Sequence, residues 1–393
     1  MIARIAMIVL HDMVWDRRVD RAASALAEAG YEVTVFCLRS ADQPRTETHN
    51  GYRIERAVPW ETSPWSKPLT KIKQSSERKR GLVAAVSAYA PDVVHCHDLP
   101  TLEYGVLVRE RTGAKVVFDD HELYPDSLMQ KKGGQGSAPV ITYWRSVEKR
   151  FVPQADAVIT VSSGIARIHK ERYGVKAHVV LNVPERLEPP CARSRLREAL
   201  SLDEQVPIVL YQGLLLETGR SLVELVDAMA QVPAAHLAVQ GSGDGKAAME
   251  ARVAERGITE RVHFMGWLPT EDLYSYTCGA TVGTVFLDGV EKSHQNSLPN
   301  RLFLYMMAGV PVAVSNLPVM SEFVRRERIG ITANPRDPDS MAAAIRWLID
   351  HPEERAEMAV RGRRLAETTY NWPVQKQVLL DVYADLLKET AKR

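Results

Sequence analysis

Short apolar runs alternate with amphipathic helical stretches along the whole chain, and this alternation constrains the fold more than any other feature. Within residues 1–188 the runs read "IARIAMIVL", "YEVTVFCL", "DVVHCHD", "KVVFDD", "ADAVITVS" and "HVVLNVP". Valine- and isoleucine-rich runs separated by amphipathic helices are typical of parallel strands whose sheet is covered on both faces. The first half of the chain is therefore predicted to form a doubly wound, Rossmann-like α/β domain.

The same pattern begins again after three prolines within residues 184–190. The second series reads "VPIVLYQG", "AHLAVQG", "RVHFMGWL", "ATVGTVF", "VPVAVS" and "IGITANP". It predicts a second Rossmann-like domain over residues 189–370, followed by a closing helix over residues 371–393. Ligands of open parallel sheets bind beyond the carboxyl ends of the strands, so two such domains that face each other would bind ligands in the cleft between them.

Composition excludes several classes of protein. The 393 residues are 45% hydrophobic, which suffices for two cores, and the formal net charge of +1 gives no reason to expect a nucleic-acid partner. The four cysteines are far apart without C-x-x-C spacing, so we expect neither a disulfide framework nor a zinc site. No apolar run is long enough to span a membrane, and we expect a cytoplasmic protein.

One segment is strongly basic. The stretch "WSKPLTKIKQSSERKR", residues 65–80, holds six basic side chains against a single acid, and Trp60 and Trp65 lie at its start. A solvated helix would explain it. Alternatively, it forms a patch that meets anionic lipid head groups, giving weak peripheral membrane contact, or a phosphorylated acceptor.

Polar side chains follow two neighbouring strands of the first half. His97 and Asp98 end one strand, and His121 and Glu122 end another. Two such clusters on adjacent strands indicate a functional site more than a structural one. The segment "HDMVWDRR" after the first strand adds Arg17 and Arg18, whose guanidinium groups suit recognition of a phosphate or carboxylate group. We expect Arg17, Arg18 and Glu122 to contact the substrate that binds to the first half of the chain, which is the acceptor side.

The second half carries candidate anion sites. Gly213 and Arg220 flank a loop before a helix in "YQGLLLETGRSL", and "SLPNRL" begins another helix with Ser297, Leu298, Asn300 and Arg301. Exposed helix N-termini bind anions through free amides, and nearby basic side chains strengthen such sites. The motif "GSGDG" has the wrong spacing for a dinucleotide loop, so we expect no nicotinamide or flavin cofactor. Motifs for triphosphate hydrolysis and serine hydrolysis do not occur.

Taken in order, the motifs resemble those of the family-four glycosyltransferases of the GT-B fold along nearly the whole chain. The resemblance is carried by "DRRVDRAASALAEAGYEVTVF", "PDVVHCHDLP", "VFDDHELYPD", "YQGLLLETGRSL", "VHFMGWLPTEDL" and "SLPNRLFLYMMAGVPVAVSNLP". The closing "YNWPVQKQVLLDVYADLL" resembles the family's final helices, which cross back onto the first domain.

This resemblance implies transfer of a sugar from a nucleotide-diphosphate donor, with retention at the anomeric carbon and without an obligatory metal. It implies UDP as the first choice of nucleotide, with GDP as the alternative. The donor would lie on the C-terminal domain. The acceptor stays open among a glycan, a lipid-linked saccharide and a small molecule.

The resemblance also implies roles for particular residues. His97 matches the histidine that reaches the transferred sugar, and His121 matches the histidine of the neighbouring loop. Arg220 matches the basic residue that holds the diphosphate. Met265 and Trp267, within "FMGWL", match the loop whose backbone contacts the base.

Three positions depart from the family pattern. Asn296 and Leu304 stand where the family has two glutamates, the second of which holds the ribose, and Leu214 replaces an arginine common at the diphosphate. Two alternatives therefore stay open. One is a non-catalytic protein that binds a nucleotide sugar or a partner. The other is a GT-B enzyme with inverting or epimerase chemistry, in which His11 would be a base oriented by Asp98.

Overall fold

The computed structural model describes residues 2–14, 16–40, 42–59, 68–128, 137–188 and 195–390. The chain divides into two compact units. Unit 1 contains residues 1–180 and 376–393, and unit 2 contains residues 181–375. The sequence pattern predicts these junctions near residues 188 and 370, whereas the two units meet after residues 180 and 375.

Within its described residues, unit 1 is built on an eight-stranded sheet with helices beside it. The strands are β1 (Arg4–Ile8), β2 (Glu32–Arg39), β3 (Thr46–His49), β4 (Tyr52–Pro59), β5 (Val93–His97), β6 (Lys115–Asp120), β7 (Ala157–Thr160) and β8 (Ala177–Val179). Their spatial order is β3-β4-β2-β1-β5-β6-β7-β8, and every neighbouring pair is parallel except β3 with β4. The helices are α1 (Arg17–Glu28), α2 (Pro68–Tyr89), α3 (Leu99–Thr112), α4 (Tyr124–Ser127), α5 (Ala138–Phe151) and α6 (Ser163–Tyr173).

Local sequence explains where the helices of unit 1 begin and end. Asp16 caps α1, because its carboxylate accepts hydrogen bonds from the amides of Arg18 and Val19. Ser162 caps α6 in the same way, and Gly174 ends it with a φ of 69°. The strand β5 is buried along its whole length, which places its polar residues inside the unit.

Unit 2 has a six-stranded, fully parallel sheet in the described chain. Its strands are β9 (Ile208–Gln212), β10 (His236–Gln240), β11 (Val262–Gly266), β12 (Val282–Val285), β13 (Val312–Ser315) and β14 (Gly330–Ala333), in the order β11-β10-β9-β12-β13-β14. The helices are α7 (Arg195–Leu200), α8 (Leu222–Ala230), α9 (Lys246–Glu255), α10 (Thr270–Thr277), α11 (Lys292–Asn296), α12 (Asn300–Met307), α13 (Pro318–Glu327), α14 (Pro338–Asp350) and α15 (Pro352–Thr368). A last helix, α16 (Trp372–Thr390), belongs to unit 1 from Lys376 onward.

The glycines of "GSGDG" allow two loops of unit 2 to touch backbone to backbone. Gly241 and Gly243 have φ values of 149° and 152°, where other residues are strained. A Cβ atom on Gly241 would lie 1.8 Å from the carbonyl oxygen of Gly213, and one on Gly243 would lie 2.2 Å from that of Leu215. The motif therefore packs the loop after β10 against the loop after β9.

Each unit has its own hydrophobic core of buried side chains, and the prediction of two Rossmann-like domains is confirmed. Among the described helices, none is long and apolar enough to cross a membrane.

Candidate functional site

Two arginines lie at the carboxyl end of the sheet in unit 2. Arg301 stands in the first turn of α12, and its Nη1 atom donates to the backbone carbonyl of Gln212 at 2.6 Å. The Arg301 guanidinium also lies over the ring of Tyr211, 4.9 Å from its centroid. A Cβ atom on Gly213 would come within 2.7 Å of Nη1, so the glycine makes room for this arrangement.

The second arginine is Arg220. We call Arg220 and Arg301 the arginine pair. Burial, and after it the charge of Arg301, lowers the pKa of the Arg220 guanidinium. The Nε atom of Arg220 and the Nε and Nη2 atoms of Arg301 are buried without hydrogen-bond partners. Burying two neighbouring cations whose N–H donors have no acceptor raises the free energy of the folded protein. A bound anion with several oxygens would accept those hydrogen bonds and remove this cost.

The start of α12 contains Arg301 and offers further donors. Pro299 precedes the helix, and no side chain of the described chain caps its first amides. Asn300 is exposed and Ser297 half-buried, so both side chains are accessible, whereas Leu298 is buried. The arrangement can hold a diphosphate.

Leu304 lies one turn after Asn300 and differs from its neighbours on α12. It is half-buried, whereas the residues around it are buried, namely Leu302, Phe303, Tyr305, Met306 and Met307. Leu304 is thus outside the core of α12. Met265 is half-buried in β11, and Trp267 follows that strand with 69% of its surface exposed. The predicted donor contacts of these three residues stay predictions.

In unit 1, the ends of β5 and β6 bring three histidines around one buried carboxylate. The Oδ2 atom of Asp119 lies 3.6 Å from His95 Nε2, 3.5 Å from His97 Nδ1 and 3.3 Å from His121 Nε2. We call His95, His97, His121 and Asp119 the histidine cluster. His95 and His97 stack with ring centroids 4.2 Å apart.

Arg18 holds the carboxylate of the histidine cluster. Its Nε and Nη2 atoms donate to the two oxygens of Asp119 at 3.0 and 2.5 Å, and its Nη1 atom donates to the carbonyl of Val180. These bonds give Arg18 a role in positioning Asp119. Arg17 is exposed at the start of α1, and Glu122 accepts a hydrogen bond from Ser127.

The electrostatics of the cluster assign protonation states. Burial alone would raise the pKa of Asp119, but the charges of Arg18 and His121 hold it well below the usual value. Burial alone would lower the pKa of His121, but Asp98 and Asp119 raise it to about 9. Burial, followed by neighbouring His95, lowers the pKa of His97 to about 3. At neutral pH His121 is therefore charged and His97 is neutral.

These states favour one tautomer of His97. The Nε2 atom of charged His121 lies 3.2 Å from His97 Nδ1, so His121 donates and Nδ1 accepts. Neutral His97 then carries its proton on Nε2, which is buried and has no hydrogen-bond partner. His97 lines a cavity of about 660 Å³, and its Nε2 atom has no acceptor among the described residues.

The ligand atoms of His95, His97 and Asp119 lie within 4.8 Å of one another, a spacing that suits a metal ion. However, Arg18 bonds to both oxygens of Asp119 and places a positive charge where a cation would bind. The cluster therefore does not fit a divalent metal.

Comparisons with known proteins match each half of the chain to a glycosyltransferase family. The model of the family described as "Glycosyltransferase Family 4" matches residues 16–183. The model of the family described as "Glycosyl transferases group 1" matches residues 206–351. The chain is a glycosyltransferase of the family-four and group 1 type.

This glycosyltransferase is similar to an uncharacterized glycosyltransferase of Methanocaldococcus jannaschii, with 23% identity over 92% of this chain and 91% of the relative. Among solved structures, sucrose-phosphate synthase from Thermosynechococcus elongatus superposes with a TM-score of 0.81 and 22% identity, covering 98% of this chain and 100% of that one. HepE from Anabaena, in complex with UDP-glucose, has a TM-score of 0.74 and 16% identity, with 98% and 100% coverage. The predicted GT-B fold and the hexosyltransferase type of enzyme are confirmed.

Sequence reasoning missed three residues of the glycosyltransferase's unit 1, namely His95, Asp119 and Tyr383. Asp119 and Asp120 end an apolar strand, and two acids at such a position are a signal that the sequence offers. Tyr383 on α16 donates or accepts a hydrogen bond of 2.7 Å at His95 Nδ1, and no sequence pattern indicates that pairing.

The predicted membrane patch falls partly outside the described residues, which include neither residues 60–67 nor the side chains of residues 68–74. Membrane contact stays a prediction.

Proposed function

We propose that this glycosyltransferase moves a hexosyl group from a nucleoside-diphosphate sugar to a hydroxyl of its acceptor, with retention of configuration and with UDP as the preferred nucleotide. The observation that carries the proposal is the arginine pair, whose buried N–H groups lack acceptors. The similar structure of HepE was solved with UDP-glucose, which supports UDP over GDP.

The arginine pair explains how a leaving group can depart without a metal. As the bond between the sugar and the diphosphate breaks, negative charge grows on the diphosphate oxygens. Arg220, Arg301 and the first amides of α12 can stabilise that charge in place, with little reorganisation during the reaction. The acceptor oxygen forms the new bond to the anomeric carbon, and its proton passes to the departing diphosphate.

The state of the histidine cluster favours retention. Asp119 is paired with Arg18, so it is not available as the base that an inverting reaction needs. His97 accepts at Nδ1 and carries a proton on Nε2, so it can donate a hydrogen bond to a hydroxyl of the transferred sugar but cannot remove a proton from the acceptor. A mechanism that relies on His97 as a base is thereby disfavoured.

The inverting alternative used His11 as the base, with Asp98 to orient it. In the structure, His11 Nε2 lies 3.1 Å from Asp16, and His11 Nδ1 accepts from the amide of Met13 at 3.1 Å. Both ring nitrogens are engaged, so His11 has no free lone pair for an acceptor proton. This arrangement supports the retaining reaction over the inverting one.

Donor hydrolysis followed by NMR tests the proposal without knowledge of the acceptor. With an α-configured UDP-hexose, water should replace the acceptor and release the α-anomer first, before mutarotation. His97→Ala should slow this hydrolysis while UDP affinity in calorimetry stays near the wild-type value. Initial release of the β-anomer would contradict retention. Binding of UDP without any hydrolysis would favour the non-catalytic alternative, and binding of neither UDP nor GDP would refute the donor assignment.

A further inference from the structure

The helix α8 of unit 2 is preceded by a residue with a strained backbone. Ser221 occupies its N-cap position with a φ of 45° and a ψ of 44°. This is the left-handed region, which a residue with a Cβ atom adopts only at a cost in free energy. A residue that caps a helix normally has an extended backbone, as Ser162 has before α6 with a φ of −158°.

The strain at Ser221 brings no hydrogen bond within the described chain. At α6, the hydroxyl of Ser162 accepts from the amide of Ile165 at 3.2 Å. The hydroxyl of Ser221 caps no amide of α8, and although it is buried, with the residue only 7% exposed, it has no partner among the described residues. The first amides of α8 likewise have no side-chain cap there. A buried polar group without a partner adds its own cost to that of the strain.

These unused donors lie next to the arginine pair. Ser221 directly follows Arg220, whose Nε atom is also buried without a hydrogen-bond partner. The loop before them is fixed by the amide of Asp288, which donates to the carbonyl of Gly219 at 3.3 Å. A hydroxyl, the free amides of a helix and a guanidinium at one place form a set of donors that suits an anion with several oxygens.

We propose that Ser221 is a further donor-binding residue, whose hydroxyl donates a hydrogen bond to the diphosphate of the nucleotide sugar beside the first amides of α8. The left-handed backbone turns the hydroxyl away from the helix amides, so that both remain free for the phosphate oxygens. The part played by Ser221 in the reaction rests on the proposed transferase function. The strain and the unpaired hydroxyl rest on the structure alone.

Two substitutions separate the hydroxyl from the strain. Ser221→Ala removes the hydroxyl and keeps a Cβ atom in the left-handed region, whereas Ser221→Gly removes both. We expect each variant to weaken UDP binding in calorimetry about tenfold, because a hydrogen bond to a charged group is lost. Only Ser221→Gly should raise the melting temperature, by about 2–4 °C, because glycine adopts a positive φ without strain.

Ser201 provides the matched control. It also has a positive φ, of 52°, but it is exposed in the turn after α7. Ser201→Gly should raise the melting temperature in the same way and leave the affinity for UDP unchanged. Inorganic pyrophosphate is the second probe, and Ser221→Ala should weaken its binding by the same factor as that of UDP, because the hydroxyl contacts the diphosphate and not the nucleoside.

The outcomes separate this inference from the donor proposal. If Ser221→Ala and Ser221→Gly bind UDP within about twofold of the wild type while Arg220→Ala does not, the inference is overturned and the donor proposal stands. If the wild type binds pyrophosphate but not UDP, and Ser221→Ala weakens pyrophosphate, the donor proposal is refuted and the anion site at Ser221 stands. A fall in the melting temperature of Ser221→Gly would contradict the strain.

Discussion

At the scale of single residues, the arginine pair of unit 2 is costly to bury. Arg220 and Arg301 repel each other and keep buried N–H groups without acceptors. Arg301 donates one hydrogen bond to the carbonyl of Gln212, but the N–H groups of the pair that lack acceptors give folding no benefit. Substitution of Arg220 should therefore separate binding from stability.

We expect Arg220→Ala to weaken UDP binding by about ten- to a hundredfold, because a charge-assisted hydrogen bond contributes roughly 1.5–3 kcal/mol. The melting temperature should not fall, since the substitution removes a repulsion. Calorimetry and thermal unfolding measure the two quantities, with Arg364→Ala on an exposed face of α15 as the control. Unchanged UDP affinity would refute the diphosphate role.

Leu304 provides a gain-of-binding prediction. It is half-buried while its neighbours on α12 are buried, so Leu304→Glu should fold normally. If the family position holds the ribose, the new carboxylate should tighten UDP binding at least about tenfold. Calorimetry of the variant checks this, and Leu302→Glu is the matched control that should unfold. An unfolded Leu304→Glu would mean that Leu304 is a core residue.

The charge of His121 makes stability depend on pH. The pKa of His121 is raised to about 9 by Asp98 and Asp119 against burial, above its unfolded value. The stabilisation is therefore complete below about pH 6.5 and is lost as the pH rises through about 9. We expect the wild type to exceed His121→Gln in free energy of unfolding by roughly 1–3 kcal/mol at pH 6 and by much less at pH 10.

At the scale of elements, α16 supports the histidine cluster. Tyr383 is fully buried and bonds to His95 Nδ1, and His95 stacks on His97. The hydroxyl of Tyr383 thereby orients His95, and through it the ring of His97. Tyr383 is a positioning residue, because it does not line the cavity beside His97.

We expect Tyr383→Phe to lower kcat about fivefold, as the loss of a buried hydrogen bond of about 1 kcal/mol would do, without changing the KM for the donor. Steady-state kinetics of donor hydrolysis give both constants. Tyr31→Phe is the control, since its ring lies 6.1 Å from that of Tyr383 while the bond to His95 stays intact. A rise in KM with kcat unchanged would contradict the positioning role.

At the scale of the whole molecule, the two units have separate cores. A ligand that binds the folded state at a hundredfold excess over its dissociation constant adds about 2.7 kcal/mol of stability. UDP should therefore slow amide hydrogen exchange in the loops after β9 and β10 and at the start of α12. Exchange in β5 and β6 should stay the same. If UDP protected amides of unit 1 alone, the assignment of the donor to unit 2 would be wrong.

The sequence by itself determined the two doubly wound domains and the strand ends at which the candidate residues lie. His97, His121, Arg220 and Arg301 could be found because the hydrophobic period marks where each strand stops. In a parallel sheet these ends share one edge, so neighbouring strands bring their polar residues together.

Only the tertiary structure decided which groups pair. Arg18 reaches Asp119 across 101 positions, Tyr383 reaches His95 across 288, and Arg301 reaches Gln212 across 89. Periodicity assigns a residue to a face or an edge, but it does not specify a partner from a distant element. The protonation states of His97 and His121 depend on those partners and on burial, so they too follow from the folded structure alone.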